Sequence, residues 1–239
     1  ACTGVSLGSG STSSGCGPGG ANTNQHSVGD QPGGVQLQAG DIAVAPSGDY
    51  VIFQGKDSLA VGFPDTGKVE QLAVAQPTTL AFSKKRDVVY VGSAKDLNIH
   101  AIDVKTRKEL WASPAPETEA NYLRLESSSD DTRLLAVGLG HMTLLDAGTG
   151  KAVSEQDMGT FIVDARILPD SGRALVVLSQ SWSQDPTPLP TTPIKVIEMS
   201  DGATHDFSVP NCASTLAITP DGSKLYVANG RSNSVSVID

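Results

Sequence analysis

The sequence predicts an all-β protein built from a repeated unit of four short antiparallel strands. The chain of 239 residues is rich in Gly (25) and Pro (14) and poor in aromatic residues (5%), which is typical of short strands separated by tight turns. No apolar stripe with helical spacing is visible. A strong apolar strand recurs at intervals of roughly 40–50 residues, which is the spacing of four-stranded β-propeller blades. Its copies begin at Asp49, Asp87, Arg133, Arg173 and Lys224.

Each repeat contains four predicted strands, which we label a to d from the centre of the ring to its rim. Strand a is short and apolar, and a tight turn such as 46–49 or 220–223 joins it to the stronger strand b. A polar loop leads to strand c, which ends near an Asp. A second turn, as in 65–68 and 148–151, leads to the more polar strand d. Turns rich in Pro, Asp and Gly join antiparallel strands, so each repeat is predicted to form one antiparallel sheet.

The strand count predicts a ring of five blades. The last repeat ends at Asp239 after strand c, and residues 35–38 precede the first strand a, where the other repeats have strand d. We therefore expect residues 35–38 to complete the last blade, because an open sheet edge invites aggregation. A seven-bladed ring cut short at Asp239 is the alternative. The predicted domains are a Gly/Ser-rich flexible tether over 1–34, which has few apolar side chains, and a β-propeller over 35–239.

Two stretches resemble known propeller repeats. Residues 216–229 (LAITPDGSKLYVAN), followed by 232–239 (SNSVSVID), resemble the YVTN-type β-propeller repeat, and the other four repeats match it in outline. Residues 101–111 (AIDVKTRKELW) resemble a repeat of the quinoprotein-like propellers. In that family a Gly usually stands at the position of Arg107, and a docking Trp stands where the next copy has Ser154. Both resemblances imply the propeller architecture.

The first residues resemble the processed start of a bacterial lipoprotein, because Ala1 and Cys2 are followed by a Ser/Gly-rich run. The resemblance implies a lipid on Cys2, which leaves Cys16 and Cys212 to form a disulfide. Without the lipid, a Cys2–Cys16 disulfide would close a small loop in the tether, and three free thiols in a cytosolic protein are the third alternative. We expect an exported bacterial protein that is periplasmic, associated with the outer membrane or on the cell surface.

The net charge and the absence of known motifs indicate which partners and cofactors are not expected. Lys and Arg number 17 against 26 Asp and Glu, and the basic cluster is confined to residues 84–86, so we expect no nucleic-acid partner. No apolar run approaches the roughly 20 residues of a membrane-spanning helix, so membrane contact is expected only through a lipid anchor. The 4 His are scattered without a metal-ligand spacing, and no nucleophile-elbow, phosphate-loop or dinucleotide motif occurs. We therefore expect no metal and no cofactor.

Length variation is concentrated in the b–c and d–a loops, which share one face of a propeller. The b–c loop of the fourth repeat, 180–193, carries Trp182, Asp185 and several prolines, and Glu117 and Glu119 are expected on the same face. Prolines stiffen a loop, and an exposed Trp is typical of a protein contact. The sequence thus predicts a surface for a protein partner here. The alternative is that Trp182 folds back on its own blade.

The predicted a strands line the central channel and carry charged residues. Asp41, Tyr122 and Asp164 stand at equivalent positions, and Arg124 and Arg166 lie one step further in, where other repeats have Ala. Two arginines on adjacent strands suit a bidentate contact to an anionic ligand. Asp41 and Asp164 together suit the paired carboxylates of glycoside chemistry. A structural Arg–Asp network that fills the channel is the third alternative.

Together these features predict a non-catalytic, exported module that binds protein partners as a scaffold or accessory subunit of a cell-envelope or extracellular complex. Similar lipoprotein propellers have that role, so the resemblance implies it as well. The alternative class is an enzyme, either a lactonase-like hydrolase or a quinone-dependent dehydrogenase. A lactonase would need a metal or a cluster of His, Arg and Glu in the channel, and a dehydrogenase would need docking Trp residues in several blades.

Overall fold

The computed structural model describes residues 42–55, 57–115, 124–179, 191–210, 213–229 and 233–239. Within these ranges the ordered elements are β-strands, and no helix of a length and hydropathy that would cross a bilayer is found among them. The strands are β1 (Ile42–Val44), β2 (Val51–Gln54), β3 (Ser58–Phe63), β4 (Lys68–Ala75), β5 (Pro77–Phe82), β6 (Val88–Ser93), β7 (Asn98–Asp103), β8 (Lys108–Pro114), β9 (Arg124–Ser127), β10 (Arg133–Val137), β11 (His141–Asp146), β12 (Ala152–Asp157), β13 (Ile162–Ile167), β14 (Arg173–Leu178), β15 (Thr191–Glu198), β16 (Thr204–Pro210), β17 (Ala213–Ile218), β18 (Leu225–Asn229) and β19 (Ser234–Ile238).

The strands form antiparallel sheets in the order of the chain. The first four sheets are β1–β4, β5–β8, β9–β12 and β13–β16, and β17–β19 form a three-stranded sheet from the residues described. The first strands of consecutive sheets contact one another in sequence, β1 with β5, β5 with β9, β9 with β13 and β13 with β17. These sheets fit the blades of a β-propeller, so we call them blades 1 to 5. The all-β prediction is confirmed, whereas the predicted pairing of residues 35–38 lies outside the described residues.

The tight turns between strands c and d repeat one backbone geometry in blades 1 to 4. One residue in each turn has a left-handed conformation, with φ between 60° and 81°, and its N–H donates to the carbonyl four residues earlier. A side chain strains this conformation, and Gly adopts it freely. The residues are Gly67, Arg107, Gly150 and Gly202. Arg107 therefore has the backbone of the Gly that the quinoprotein-like resemblance implies at its position.

Apolar cores lie between successive blades, because side chains that alternate along a strand point to opposite faces of its sheet. In blade 2, Val89 packs with Ile52 of blade 1, whereas the adjacent Tyr90 packs with Leu134 of blade 3. All four side chains are fully buried. Burial of such side chains between blades is the main favourable term in the stability of the fold.

Candidate functional site

The structure describes three of the predicted site residues. Arg124 begins β9, and Asp164 and Arg166 lie on β13, so all three are on the inner strands of blades 3 and 4. The other predicted binding, lipidation and disulfide residues lie outside the described part of the chain, and those predictions stay predictions. They are Asp41, Glu117, Glu119, Trp182, Asp185, Cys2, Cys16 and Cys212.

The strand register corrects the predicted alignment of blades 3 and 4. The sequence predicted that Arg124 is equivalent to Arg166. In the structure every a–b turn has the same length, and its first N–H donates to the carbonyl five residues later, at Ser128 in blade 3 and Leu168 in blade 4. Because this hydrogen bond fixes the register, Arg124 is equivalent to Asp164, two residues earlier than predicted.

Because of this misalignment, the sequence analysis did not identify Glu126 as a residue of the central channel. It occupies the position of Arg166 in the neighbouring blade, and the constant six-residue turn is the signal that would have located it. Burial raises the pKa of the Glu126 carboxyl, and the positive charge of Arg124 opposes that shift. One carboxyl oxygen, Oε2, is buried without a hydrogen-bond partner among the described residues. Neutral and charged forms of Glu126 are therefore closer in energy than for an exposed Glu.

Asp164 connects three blades. Its side chain is only 6% exposed, and Oδ1 lies 3.5 Å from Arg124 Nη2 and 3.4 Å from Arg166 Nη1. Oδ2 accepts hydrogen bonds from the Thr215 hydroxyl and the Leu216 N–H of blade 5, both at 2.9 Å. A buried carboxylate needs such partners, because desolvation without them costs several kcal/mol. These contacts are those of a structural Arg–Asp network, and the paired-carboxylate alternative stays a prediction because Asp41 lies outside the described residues.

A cavity of about 490 Å³ opens where the inner strands of blades 1 to 4 reach their a–b turns. Its charged lining consists of Lys84, Arg124, Arg166 and Glu126, and aliphatic and aromatic side chains such as Phe82 form part of its wall. We call it the cationic cavity. The excess of cations over carboxylates favours negatively charged occupants.

Exposed apolar side chains lie at the opposite end of β13. Phe161 is 54% exposed and Val163 is 39% exposed, on the d–a side of blade 4. The Ser179 N–H donates to the Phe161 carbonyl at 2.6 Å, and the Thr160 hydroxyl donates to the Ser179 carbonyl at 3.0 Å. Ser179 precedes the predicted loop 180–193 and lies beside Phe161, whereas β15 begins at Thr191, so residues 191–193 belong to a strand and the predicted loop bound is too long. We call Phe161 and Val163 the apolar pair.

Metal-ligand side chains do not converge in the described part of the chain, where no group of three or more His, Cys, Asp and Glu could hold an ion. His100 is hydrogen-bonded instead, with Nδ1 at 2.7 Å from Glu109 Oε2 and Nε2 at 3.1 Å from Asp96 Oδ2. The two carboxylates orient the imidazole on the surface of blade 2.

Comparison with known proteins adds one structural likeness. The chain matches no protein-family model and no curated protein. It is similar to a solved structure of hydrazine synthase from Kuenenia stuttgartiensis, with 16% sequence identity and a TM-score of 0.46, over 92% of this chain and 80% of that one. The blade assignment rests on the strand pairing described above.

Proposed function

We propose that this chain is a non-catalytic, exported β-propeller that binds a protein partner as a scaffold or accessory subunit of a larger complex. The observation that carries the proposal is the apolar pair. Two exposed apolar side chains within three residues present apolar surface to water, and burial of aromatic side chains dominates the energy of many protein interfaces. The pair lies beside Ser179, which precedes the segment that carries Trp182, and the sequence predicts Trp182 on the same face.

The proposed partner surface combines the apolar pair with the acidic and aromatic residues that the sequence predicts on the same face. Trp182 would be the central anchor, and Asp185, Glu117 and Glu119 would form its polar rim. Such an arrangement of an apolar centre and a charged rim is usual at interfaces. The prolines of loop 180–193 would reduce the conformational entropy lost on docking.

The variants Phe161→Ser and Trp182→Ala test this surface. We expect each to weaken binding of the partner that co-purifies with the native protein by roughly tenfold or more, since an interfacial aromatic anchor contributes about 2 kcal/mol. Leu110→Ser is the matched control, because Leu110 is 50% exposed on β8 at the outer side of blade 2. Partner binding measured by calorimetry should be unchanged in the control. Equal binding by all three folded variants would place the partner surface elsewhere.

The ring that presents this surface is proposed to have five blades, closed by residues 35–38 beside β19. The strand count supports this, because β17–β19 form a three-stranded sheet among the described residues, whereas the other four sheets have four strands. Val235 and Val237 on β19, with Ile42 and Val44 on β1, are exposed apolar side chains on the two end blades, which closure would cover. Deletion of residues 1–38 should then lower the melting temperature, whereas deletion of 1–30 should not. Equal melting temperatures would contradict closure.

Export to an oxidising compartment, with Cys2 carrying a lipid or a disulfide, is the last element of the proposal. The Ser/Gly-rich composition of residues 1–34 and the lipoprotein-like start support it. Mass spectrometry of the native protein should find an acyl chain or at least one disulfide. Three free thiols without an acyl chain would show that the protein is not exported in this way.

A further inference from the structure

We propose that the cationic cavity binds a small organic carboxylate, with Arg124, Arg166 and Lys84 holding the carboxylate group and the apolar wall holding the rest of the molecule. This site is distinct from the proposed partner surface. The cavity lies at the a–b turn end of the inner strands, whereas the apolar pair lies at their d–a end.

The charge balance of the cavity favours one negative group. Lys84, Arg124 and Arg166 supply three positive charges. Asp164 offsets one of them, and both of its oxygens already have partners. Glu126 would offset a second charge in its ionised form, which its burial disfavours. At least one of these positive charges therefore remains without a counter-charge among the described residues. A bound anion would supply that counter-charge.

The arginine geometry leaves donors for that anion. Arg124 and Arg166 each approach Asp164 through one terminal nitrogen, at 3.5 and 3.4 Å, which is longer than the usual 2.7–3.2 Å of an N–H···O hydrogen bond. Among the described residues, the Arg124 side chain donates no hydrogen bond, and Arg166 donates to the Ala165 carbonyl at 3.3 Å. A guanidinium has five N–H donors in a planar fork that matches the two oxygens of a carboxylate.

The size and lining of the cavity indicate the rest of the ligand. A volume of about 490 Å³ lies within the range of small-molecule sites, roughly 300–1,000 Å³. Val44, Phe82 and Leu125 contribute apolar surface, whereas the Ser83 and Ser127 hydroxyls in the wall are buried and already donate to Asp131 Oδ1. A planar carboxylate that carries an apolar group fits this combination of cationic and apolar lining better than a fully hydrated inorganic ion does, because burial of the apolar group adds a favourable hydrophobic contribution.

Benzoate is the probe for this site, with inorganic phosphate and benzylamine as comparators. On the full chain we expect benzoate to bind with a millimolar or tighter dissociation constant by calorimetry or NMR shift mapping, phosphate to bind more weakly, and benzylamine not to bind. Benzoate should shift the resonances of Phe82, Leu125 and Ser127. Tighter binding of phosphate than of benzoate, or binding of benzylamine, would overturn the carboxylate assignment.

Two lysines of the same turn provide a matched pair of variants. Lys84 lines the cavity and its neighbour Lys85 does not. Lys84→Gln should weaken benzoate binding about threefold, as expected for loss of one partly solvated charge, and Lys85→Gln should leave it unchanged. Equal affinities in these two variants would overturn the proposal.

Arg166→Gln gives the larger effect. Loss of a charge-assisted contact should weaken benzoate binding roughly tenfold. Because Arg166 also supports Asp164, this variant is interpreted only if its circular dichroism spectrum matches that of the wild type, and otherwise the lysine pair decides. Binding of the protein partner should be unchanged in Lys84→Gln, so failure of the carboxylate site and failure of the partner surface give different results.

Discussion

The junction between blades 2 and 3 and the junction between blades 3 and 4 place different side chains at the same point of the fold. At the first junction Trp111 of β8 lies against Gly150 in the next blade, its Nε1 donates to the Ala147 carbonyl at 3.2 Å, and its ring centre is 5.7 Å from that of Tyr90. At the second junction Ser154 of β12 lies against Gly202.

The second junction is polar. Gln156 donates from its side-chain amide to the Gly202 carbonyl, and within the described part of the chain no aromatic ring takes part. Both junctions keep a Gly with positive φ in the receiving turn, so the backbone comes close to the neighbouring strand in either case. The turn geometry is common to both junctions, and we expect the docking side chain to determine how strongly the two blades adhere.

The largest expected effect is the loss of stability on removal of the Trp111 side chain, with removal of Ser154 as its counterpart. Trp111→Ala should lower the free energy of unfolding by about 3 kcal/mol, since it removes aromatic packing and a hydrogen bond. Ser154→Ala should lower it by less than about 0.5 kcal/mol. Urea unfolding followed by circular dichroism measures both changes. Similar losses would show that the two junctions adhere equally strongly.

The receiving glycines give the next effect. Gly67 and Gly150 have similar positive φ angles, but a Cβ at Gly67 would meet no atom within 4 Å, whereas one at Gly150 would lie 2.5 Å from Trp111 Cε3. Gly67→Ala should cost about 1 kcal/mol from backbone strain alone. Gly150→Ala should cost about 1–2 kcal/mol more, because the indole must move.

A double-mutant cycle isolates the indole contact. In the Trp111→Ala background, Gly150→Ala should cost no more than Gly67→Ala does in the wild type, since the clash is then absent. A persistent excess cost at Gly150 would mean that its sensitivity has another origin.

The blade pattern was predictable from sequence because it depends on local signals. Strand b is a compact apolar run in every repeat, and the turn residues with positive φ are Gly in three of the four c–d turns. Arg107 stands where the other three turns have Gly, but it has the same left-handed backbone conformation. The resemblance of residues 101–111 to a quinoprotein-like repeat was sufficient to identify its position in the turn. Local hydrogen bonds of fixed length make such features visible without tertiary information.

The candidate site was less predictable because its contacts join distant parts of the chain. Asp164 meets Thr215 and Leu216, which are 51 and 52 residues further on. The polar first strand of blade 3 offered no apolar pattern to fix its register, so Glu126 was missed and Arg124 was misaligned. The apolar pair was not predicted, because the exposure of an apolar side chain depends on tertiary packing and not on the local sequence.

Tyr90 adds a second difference between the two junctions. Its phenol packs against Trp111 at the junction of blades 2 and 3, whereas the equivalent residue of blade 3 is Leu135. The Tyr90 hydroxyl accepts from Arg86 Nη2 at 3.1 Å and donates to the Ala147 carbonyl at 3.3 Å. Burial raises the pKa of Tyr90 to about 12. An unfolded Tyr has a pKa near 10, so this contribution to stability is present below about pH 10 and is lost as the pH rises to about 12.

Tyr90→Phe should therefore cost about 1 kcal/mol at pH 7, from the lost hydrogen bonds. It should also remove part of the decline in stability between pH 10 and pH 12. Urea unfolding at a series of pH values measures both effects. The same alkaline decline in wild type and variant would show that the pKa of Tyr90 is the same in the folded and unfolded states.

The junction between blades 1 and 2 uses an ion pair in place of Trp111 or Ser154, and it carries the smallest expected effect. Arg107, in the receiving turn, pairs with Glu70 of β4. The hydrogen bond from Lys68 is the largest of the effects that hold the pKa of Glu70 below its ordinary value. Burial opposes it, and the positive charge of Arg107 adds a smaller lowering of this pKa. The associated stability is present at neutral pH and is lost as the pH falls through this lowered pKa.

Arg107→Gln keeps a side chain at positive φ and removes the charge. The Glu70 pKa measured by NMR titration should therefore rise but stay below its ordinary value, because Lys68 remains. Lys105→Gln removes a charge from the same turn and should leave the Glu70 pKa unchanged. If both variants shift it equally, the ion pair acts only through the general charge of the turn, and blades 1 and 2 adhere through their apolar core alone.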